Sequence, residues 1–303
     1  MSNAIYLVEF GSDKLEELFS AFQKHLEETD RGPSVRSYVG DVKRFSAWFM
    51  HRYKNNNVLG TSPLDLVEYR SYMQTRGGRR GTGFAPSTVN RALVSLRLFF
   101  QWLLKNDQIK SNPVENIKSV AVTAKPAPKW LSRKQQARLM HAVRGNTRDE
   151  AMIGLMLHAG LRVSELCSIE KGSIEISERK GQVNVTGKGN KYREVPLNAT
   201  IRNSLRLWFE ENQTDVLFPN RYGRPISTRG VHKLVAEYAY QAKLEDVTPH
   251  TLRHTFCKNA IDMGIPIDQV AAMAGHSSLD ITKQYTVPSM ADLQKAVEKM
   301  AWE

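Results

Sequence analysis

The chain has 303 residues, above the length at which one hydrophobic core usually stops growing, so two domains of ordinary size are expected rather than one small module. Hydrophobic residues make up 41% and charged residues 24%, a globular balance that fits neither a disordered chain nor a membrane protein. Lys and Arg number 43 against 31 Asp and Glu, a formal charge of +12, and that excess points to a polyanionic partner, nucleic acid first and an anionic membrane surface second.

The charge is unevenly placed. Residues 1–30 carry 2 basic and 7 acidic side chains, net −5, whereas residues 31–110 carry 14 basic and 4 acidic, net +10. A basic surface is therefore expected on the second segment, although a charge run is more often a solvated face and does not assign a function by itself. The two cysteines, Cys167 and Cys257, show neither CxxC nor Cys/His metal-ligand spacing. No disulfide scaffold, metal site or cofactor is called for, and a reducing compartment is expected. The segment MSNAIYLVEFGSDK lacks a basic n-region followed by a long apolar stretch, and no run of ~18 apolar residues exists to span a bilayer. A cytoplasmic protein with no membrane partner is expected.

In chain order, a first helix starts at Ser12 or Asp13 and carries Leu15, Leu18, Phe19, Phe22 and Leu26 at helical spacing. After the Arg31-Gly32-Pro33 break, Ser34 is read as the cap of a second, with Val35, Tyr38, Val42, Phe45 and Phe49 on one stripe and Arg36, Lys43, Arg44 and Arg52 interleaved. Ser62-Pro63 opens a third helix ending at Gly77-Gly78, and Ser87 a fourth through Val89, Leu93, Leu96, Phe100 and Leu103. Between them RGGRRGTGFAPST, with Arg79 and Arg80, is a basic loop that matches neither GxGxxG nor GxxxxGKS/T, so a mononucleotide site there is not expected. Arg36, Lys43, Arg44, Arg79, Arg80 and Arg91 are the candidate phosphate-backbone contacts of this half. The stretch from Lys118 to Lys129, with KPAPK, reads as a linker. Boundaries follow: a helical domain over 1–118, a linker over 119–130, a second domain over 131–288 and a C-terminal helix over 289–303. Within the second domain Ser132 caps a helix, a further helix runs from Asp149 to His158, LRVSEL begins another, and SIEIS, QVNVTG and REVPL alternate as a small antiparallel sheet before helices resume at Ile201.

Four segments of the second domain carry chemistry. Taken alone, each has an ordinary reading. Arg162 and Glu165 in LRVSEL are an i, i+3 ion pair. Lys188, between two glycines in TGKGNKYREVPL, is a loop lysine that glycine flanks leave free to move. His250 and Arg253 in PHTLRHTF share a helix face; His254 joins His250 at i+4, but Phe256 and Ala260 nearby suggest that His254 is packed. His276 in AGHSSLDITKQYT precedes a turn and N-cap, and Tyr285 is ordinarily an amphipathic core residue.

Together, LRVSEL, GKGNKYREVPL, HTLRHTF and GHSSLDITKQYT in this order resemble the tyrosine recombinase, or phage integrase, family, in the simple Xer-like or Cre-like form. Ala274-Gly275-His276 stands where that family often has Leu-Gly-His, and Tyr285-Thr286-Val287 where it often has Tyr-Thr-His; neither change removes a reacting group. The resemblance implies a mainly α fold with a small antiparallel β-sheet: a SAM-like core-binding helical bundle followed by a mixed α/β catalytic domain. It implies Tyr285 as nucleophile, Arg162 and Arg253 as a phosphate clamp, Lys188 as general acid, His250 and His276 as proton-transfer or phosphate-binding groups, and Glu165 as the acid that orients the cations. It further implies cleavage and rejoining of duplex DNA at a recombination site through a 3′-phosphotyrosyl intermediate without metal or ATP, in a bacterial or phage/mobile-element setting. The tail ADLQKAVEKMAW, with Leu293, Ala296, Val297 and Met300 on one stripe, either packs in cis or docks on a neighbouring protomer of a tetramer. Accessory DNA-binding proteins fit the same picture. A non-catalytic DNA-binding regulator and a relaxing topoisomerase stay open as alternatives on the sequence alone.

Overall fold

The computed structural model describes residues 12–29, 32–54, 57–78, 81–122, 128–187, 191–276 and 278–287, with residues 293, 294, 297, 298, 300 and 301 of the tail. Arg79, Arg80, Lys188, Ala296 and the centre of the expected linker lie outside the described residues. Most of the chain is helical, with a three-stranded antiparallel sheet, and it divides into two units, Met1–Lys125 and Pro126–Glu303.

The first unit contains α1 (Ser12–Glu28), α2 (Gly32–Tyr53), α3 (Pro63–Thr75) and α4 (Pro86–Lys105). The apolar stripes of all four turn inward on one core, in which Phe22 meets Phe99 edge-on at 5.1 Å and Phe45 meets Tyr69 edge-on at 5.1 Å, the geometry that aromatic quadrupoles favour. Ser62 caps α3 as its sequence suggests, its hydroxyl accepting from the Asp65 N–H while the Asp65 carboxylate accepts from the Ser62 N–H. Two expected caps are corrected. α2 begins at Gly32, so Ser34 lies inside its first turn, and α4 begins at Pro86 with Ala85 as N-cap, so Ser87 is also internal. In both cases a proline decides the start, because its fixed φ and missing N–H suit the first helical turn.

One buried carboxylate ties this unit together. Asp41 on α2 is 1% exposed and accepts from Arg44 on its own helix and from Arg91 and Ser95 on α4, at 2.8–3.0 Å. Two of the candidate DNA contacts, Arg44 and Arg91, thus spend part of their guanidinium on an internal acid. Lys43 pairs with Glu16 of α1, whereas Arg36 stands exposed.

The second unit is built round α6 (Thr147–His158), apolar on nearly every side and buried against α8 (Ala199–Glu211) and α10 (Pro249–Asp262), as expected of a central helix. Before α6, α5 (Arg133–Val143) starts at a Ser132 capping box with Gln135. After it come α7 (Val163–Ser168) and strands β1 (Ile174–Ile176), β2 (Gly181–Gly187) and β3 (Lys191–Pro196), paired in the order β1-β2-β3 with Val183 opposite both Ile174 and Val195. The strands match the alternating segments of the sequence. α9 (Thr228–Gln241), α11 (Ile267–Ala274) and α12 (Leu279–Lys283) complete the unit. No helix among the described residues is long and apolar enough to cross a membrane.

Removing the Asp41 carboxylate takes a shared acceptor from Arg44, Arg91 and Ser95, although both arginines stay solvent-accessible and Ser95 keeps its bond to the Arg91 carbonyl. Asp41→Ala is therefore expected to cost about 1.5–3 kcal/mol, the scale of lost hydrogen bonds to a charged group, whereas Lys43→Ala, at an exposed pair, is expected to cost under about 0.5 kcal/mol. Urea unfolding followed by fluorescence of Trp48 and Trp102 checks this; equal midpoints for the two variants would contradict it.

Candidate active site

The site begins where α6 stops. Gly160 adopts φ +64°, and a Cβ there would fall 2.3 Å from the Phe256 ring, so only glycine can turn the chain this close to α10. The turn delivers Arg162 to the N-cap of α7. Glu165 is then the third helical residue, and its carboxylate reaches back to the Arg162 N–H at 2.7 Å while also accepting from Arg162 Nη1 at 2.7 Å. The pair is thus a cap as well as an ion pair. Its side chains differ in exposure, 38% for Arg162 and 3% for Glu165, which leaves the arginine with one face towards solvent.

A third partner comes from the sheet. Arg193 on β3 donates to both Glu165 oxygens, at 2.8 and 2.9 Å, and through Nε to the Met273 carbonyl at 3.0 Å. On α10, Thr248 caps the helix and Pro249 opens it, so Arg253 lies one turn in. Arg253 is 3% exposed and donates to the Gly160 carbonyl at 2.6 Å and to the Ala274 carbonyl. Arg162 Nη2 donates to the next carbonyl, Gly275. Three guanidinium groups from three elements therefore receive the successive carbonyls of 273–275 at the C-terminal end of α11, where a helix concentrates partial negative charge.

That helix ends with Gly275 at φ +65°, the left-handed cap that favours glycine, and His276 follows directly. His276 Nδ1 bonds the buried hydroxyl of Thr282 on α12 at 2.7 Å. Tyr285, one turn further, is 1% exposed and packs among Phe256, Cys257, Ala260, Val270 and Ala274. Its hydroxyl bonds Nδ1 of His254, and the His276 ring lies parallel to it with centroids 6.3 Å apart.

The structure thus joins Arg162, Glu165, Arg253, His276 and Tyr285 in one unit. His250 is at the exposed N-terminal turn of α10 with its ring 4.1 Å from that of His254. Lys188 lies outside the described residues, in the connection between Gly187 at the end of β2 and Lys191 at the start of β3. Two residues escaped the sequence reading. His254 is only half-buried, and its ring meets the Tyr285 hydroxyl, which the apolar neighbours Phe256 and Ala260 had masked. Arg193 was legible in principle: alternation places it on the same strand face as the buried Val195, and a cation on an inward face needs a partner.

Electrostatics follow from three guanidinium groups around one carboxylate. Burial alone would raise the Glu165 carboxyl, but its hydrogen bonds from Arg193 and Arg162 prevail and hold it at about 2. Burial, then Arg162, lowers Arg253 to about 10. Burial lowers His254 and His276 to about 4, helped by His250 and Arg253 at the first and by Arg253 and Arg162 at the second. The Tyr285 phenol is pushed up by burial and by the Cys257 thiol, against the pull of Arg253. At neutral pH the site therefore presents neutral imidazoles, a protonated phenol and an uncompensated positive charge, which suits an anion with several oxygens.

The phage integrase family model matches residues 129–291, and that of the phage integrase N-terminal SAM-like domain matches residues 19–107. Tyrosine recombinase XerC of Thermodesulfovibrio yellowstonii is 32% identical over 290 residues, 90% of this chain and 92% of that protein. Tyrosine recombinase XerD of Staphylococcus saprophyticus is 29% identical over 275 residues, 86% of this chain and 90% of its own. Among solved structures, the XerH site-specific recombinase bound to a palindromic difH substrate, a post-cleavage complex, aligns with a TM-score of 0.73 at 20% identity, covering 96% of this chain and 90% of that one; at that identity the likeness concerns the fold.

The neutral imidazoles are testable. Unfolding returns both rings to the ordinary value of 6.5 from about 4, so the unfolded chain binds more protons in that window and stability falls as pH is lowered from 6.5 towards 4. Ring Hε1 resonances of His254 and His276 are expected to stay constant between about pH 5.5 and 8, and a midpoint near 6.5 for either would contradict the assignment.

Proposed function

The chain belongs to the phage integrase family and is a tyrosine-type site-specific recombinase; from that premise we propose that it cuts and rejoins duplex DNA through a 3′-phosphotyrosyl intermediate, with Tyr285 as nucleophile. The observation that carries this reading is the Tyr285 hydroxyl hydrogen-bonded to a neutral histidine in the same unit as the excess guanidinium charge of Arg162, Arg193 and Arg253.

In the first step the Tyr285 oxygen bonds to phosphorus and the bond to the 5′ oxygen breaks. A phenol of raised pKa is a poor nucleophile until its proton has somewhere to go. His254 Nδ1 is within hydrogen-bond reach of the hydroxyl; in the tautomer with its hydrogen on Nε2 it takes the proton as the oxygen attacks, and Arg253, which favours the phenolate, lowers the cost. The non-bridging oxygens gain charge as the bond forms. Arg162 offers them its solvent-facing donors, and Arg253 supplies a fixed charge behind. His276 Nδ1 is paired with the Thr282 hydroxyl, which leaves Nε2 as the ring nitrogen to donate to a phosphate oxygen. His250, exposed at the start of α10, donates to a second phosphate oxygen. Lys188 protonates the departing 5′ hydroxyl. The phosphotyrosyl ester keeps the energy of the original phosphodiester, so a 5′ hydroxyl from the partner strand reverses the step without ATP, and the guanidinium groups supply the charge that a Mg²⁺ would otherwise bring.

Duplex DNA carrying a recombination site is the partner, bound through its backbone by cations such as the exposed Arg36, with Arg79 and Arg80 as further candidates from the sequence. Strand exchange takes two such sites and a tetramer. The tail supports this assembly by its composition: Leu293, Val297 and Met300 are 44, 60 and 75% exposed, an apolar stripe suited to a neighbouring protomer.

A nicked suicide duplex bearing the recombination site, recovered by enriching genomic fragments on the protein, tests this directly. Wild type is expected to form a denaturant-resistant adduct in the presence of EDTA, and Tyr285→Phe is expected to bind the duplex equally well and form none. An adduct that persists in Tyr285→Phe would remove Tyr285 from the nucleophile's role.

A further inference from the structure

Arg193 contributes charge but no contact to the reacting atoms in the chemistry just described, yet it makes as many hydrogen bonds to the site's framework as Arg162, three each. Its guanidinium closes a circuit through three chain segments: Nη1 and Nη2 to the two Glu165 oxygens, Glu165 to the N–H and Nη1 of Arg162, Arg162 Nη2 to the Gly275 carbonyl, and Arg193 Nε to the Met273 carbonyl. The fit is also steric. A Cβ on Gly275 would lie 2.9–3.0 Å from the Arg193 guanidinium atoms, so the flat cation fills the space that a side chain at 275 would need. Its own side chain is 13% exposed, and the strand that carries it is held by Val183–Val195 and Val185–Arg193 pairing with β2.

We propose that Arg193 is a positioning residue of the recombinase, fixing Arg162 through Glu165 and fixing His276 through the end of α11, so that the two phosphate-binding groups keep one separation. This rests on the reading of Arg162 and His276 as phosphate-binding groups. Without Arg193 the Glu165 carboxylate keeps one cation instead of two, and the Met273 carbonyl loses its donor. Arg162 can then swing with its partner, and the turn at Gly275 that sets His276 is released. Lysine is no substitute, because a single ammonium cannot bond both carboxylate oxygens in a plane and reach the carbonyl as well.

The groups facing Glu165 make the role separable from mere structure. Arg162 from α7, Arg193 from β3 and Arg253 from α10 are the cations of this framework, and His250 and His276 feel Arg162 in turn. Burial pushes the Glu165 carboxyl up while the arginines hold it down. Once Arg193 is gone, the carboxyl protonates at higher pH and lets go of Arg162, so activity gains an acidic limb that wild type lacks.

The test compares Arg193→Gln, Arg193→Lys, Glu165→Gln and the Arg193→Gln/Glu165→Gln double variant by single-turnover cleavage of the suicide duplex at saturating DNA, from about pH 5.5 to 9, alongside DNA affinity and urea unfolding. Arg193→Gln is expected to keep DNA affinity within about twofold and to cleave about 10- to 100-fold more slowly, the scale of a misplaced reacting group. Its rate is expected to fall further towards low pH. Arg193→Lys should lie between it and wild type, and it serves if Arg193→Gln does not fold. The double variant should lack the acidic limb and be no slower than the worse single variant, since the two residues act as a unit. A variant that cleaves like wild type, or rates that fall only in proportion to lost folded protein with no acidic limb, would overturn the proposal. A wild type that forms no adduct would instead sink the functional reading beneath it.

Discussion

The catalytic unit depends on one buried carboxylate shared by two guanidinium groups. Glu165 lies at the start of a helix of only six residues, an element too short to hold its own position. Its four hydrogen bonds, two from Arg162 and two from Arg193, tie that helix to the sheet, and the arginines carry the connection on to the end of α11. A buried ion pair is a weak source of net stability, because desolvation takes back most of the Coulombic gain. What it supplies here is geometry: each cation that could bind a phosphate is held by groups that cannot follow it elsewhere. The helical unit repeats the device with Asp41, Arg44, Arg91 and Ser95, there to join α2 to α4.

The same arrangement sets protonation states. Burial first, and then the positive charge around them, keeps the histidines neutral, so each ring can accept a proton on one nitrogen and donate from the other at neutral pH. The tyrosine is the opposite case. Burial and the Cys257 thiol raise its pKa, so its hydroxyl is protonated at neutral pH. The carbonyls of 273–275 accept from all three arginines; for the largely buried Arg193 and Arg253 an unpaired donor would cost ~1–3 kcal/mol.

Much of this was legible from residues alone, and the failures are informative. The caps at Ser62 and Ser132 are local hydrogen bonds, so sequence finds them. Ser34 and Ser87 were misplaced because prolines, not hydroxyls, start those helices. The strands at 174–196 follow from alternation. The motifs single out Arg162, Arg253, His276 and Tyr285, and helical spacing gives the Arg162–Glu165 pair, but the backbone partners stay hidden, because a carbonyl leaves no mark on composition or periodicity. His254 was set aside on its apolar neighbours, although it sits one turn from a helix end that also faces Tyr285. The charge of residues 31–110 points to a DNA-facing surplus, and part of it, at the exposed Arg44 and Arg91, is tied to the buried Asp41.

The central claim is that one tyrosine oxygen, in this framework, becomes bonded to DNA. Tandem mass spectrometry of the nuclease-trimmed, trypsin-digested covalent complex tests it most directly, since cleavage after Lys283 and Lys295 isolates Tyr285 as the sole tyrosine of its peptide. The account predicts a nucleotide 3′-phosphate on Tyr285. The same mass increment on a serine, a histidine or any other tyrosine would contradict it.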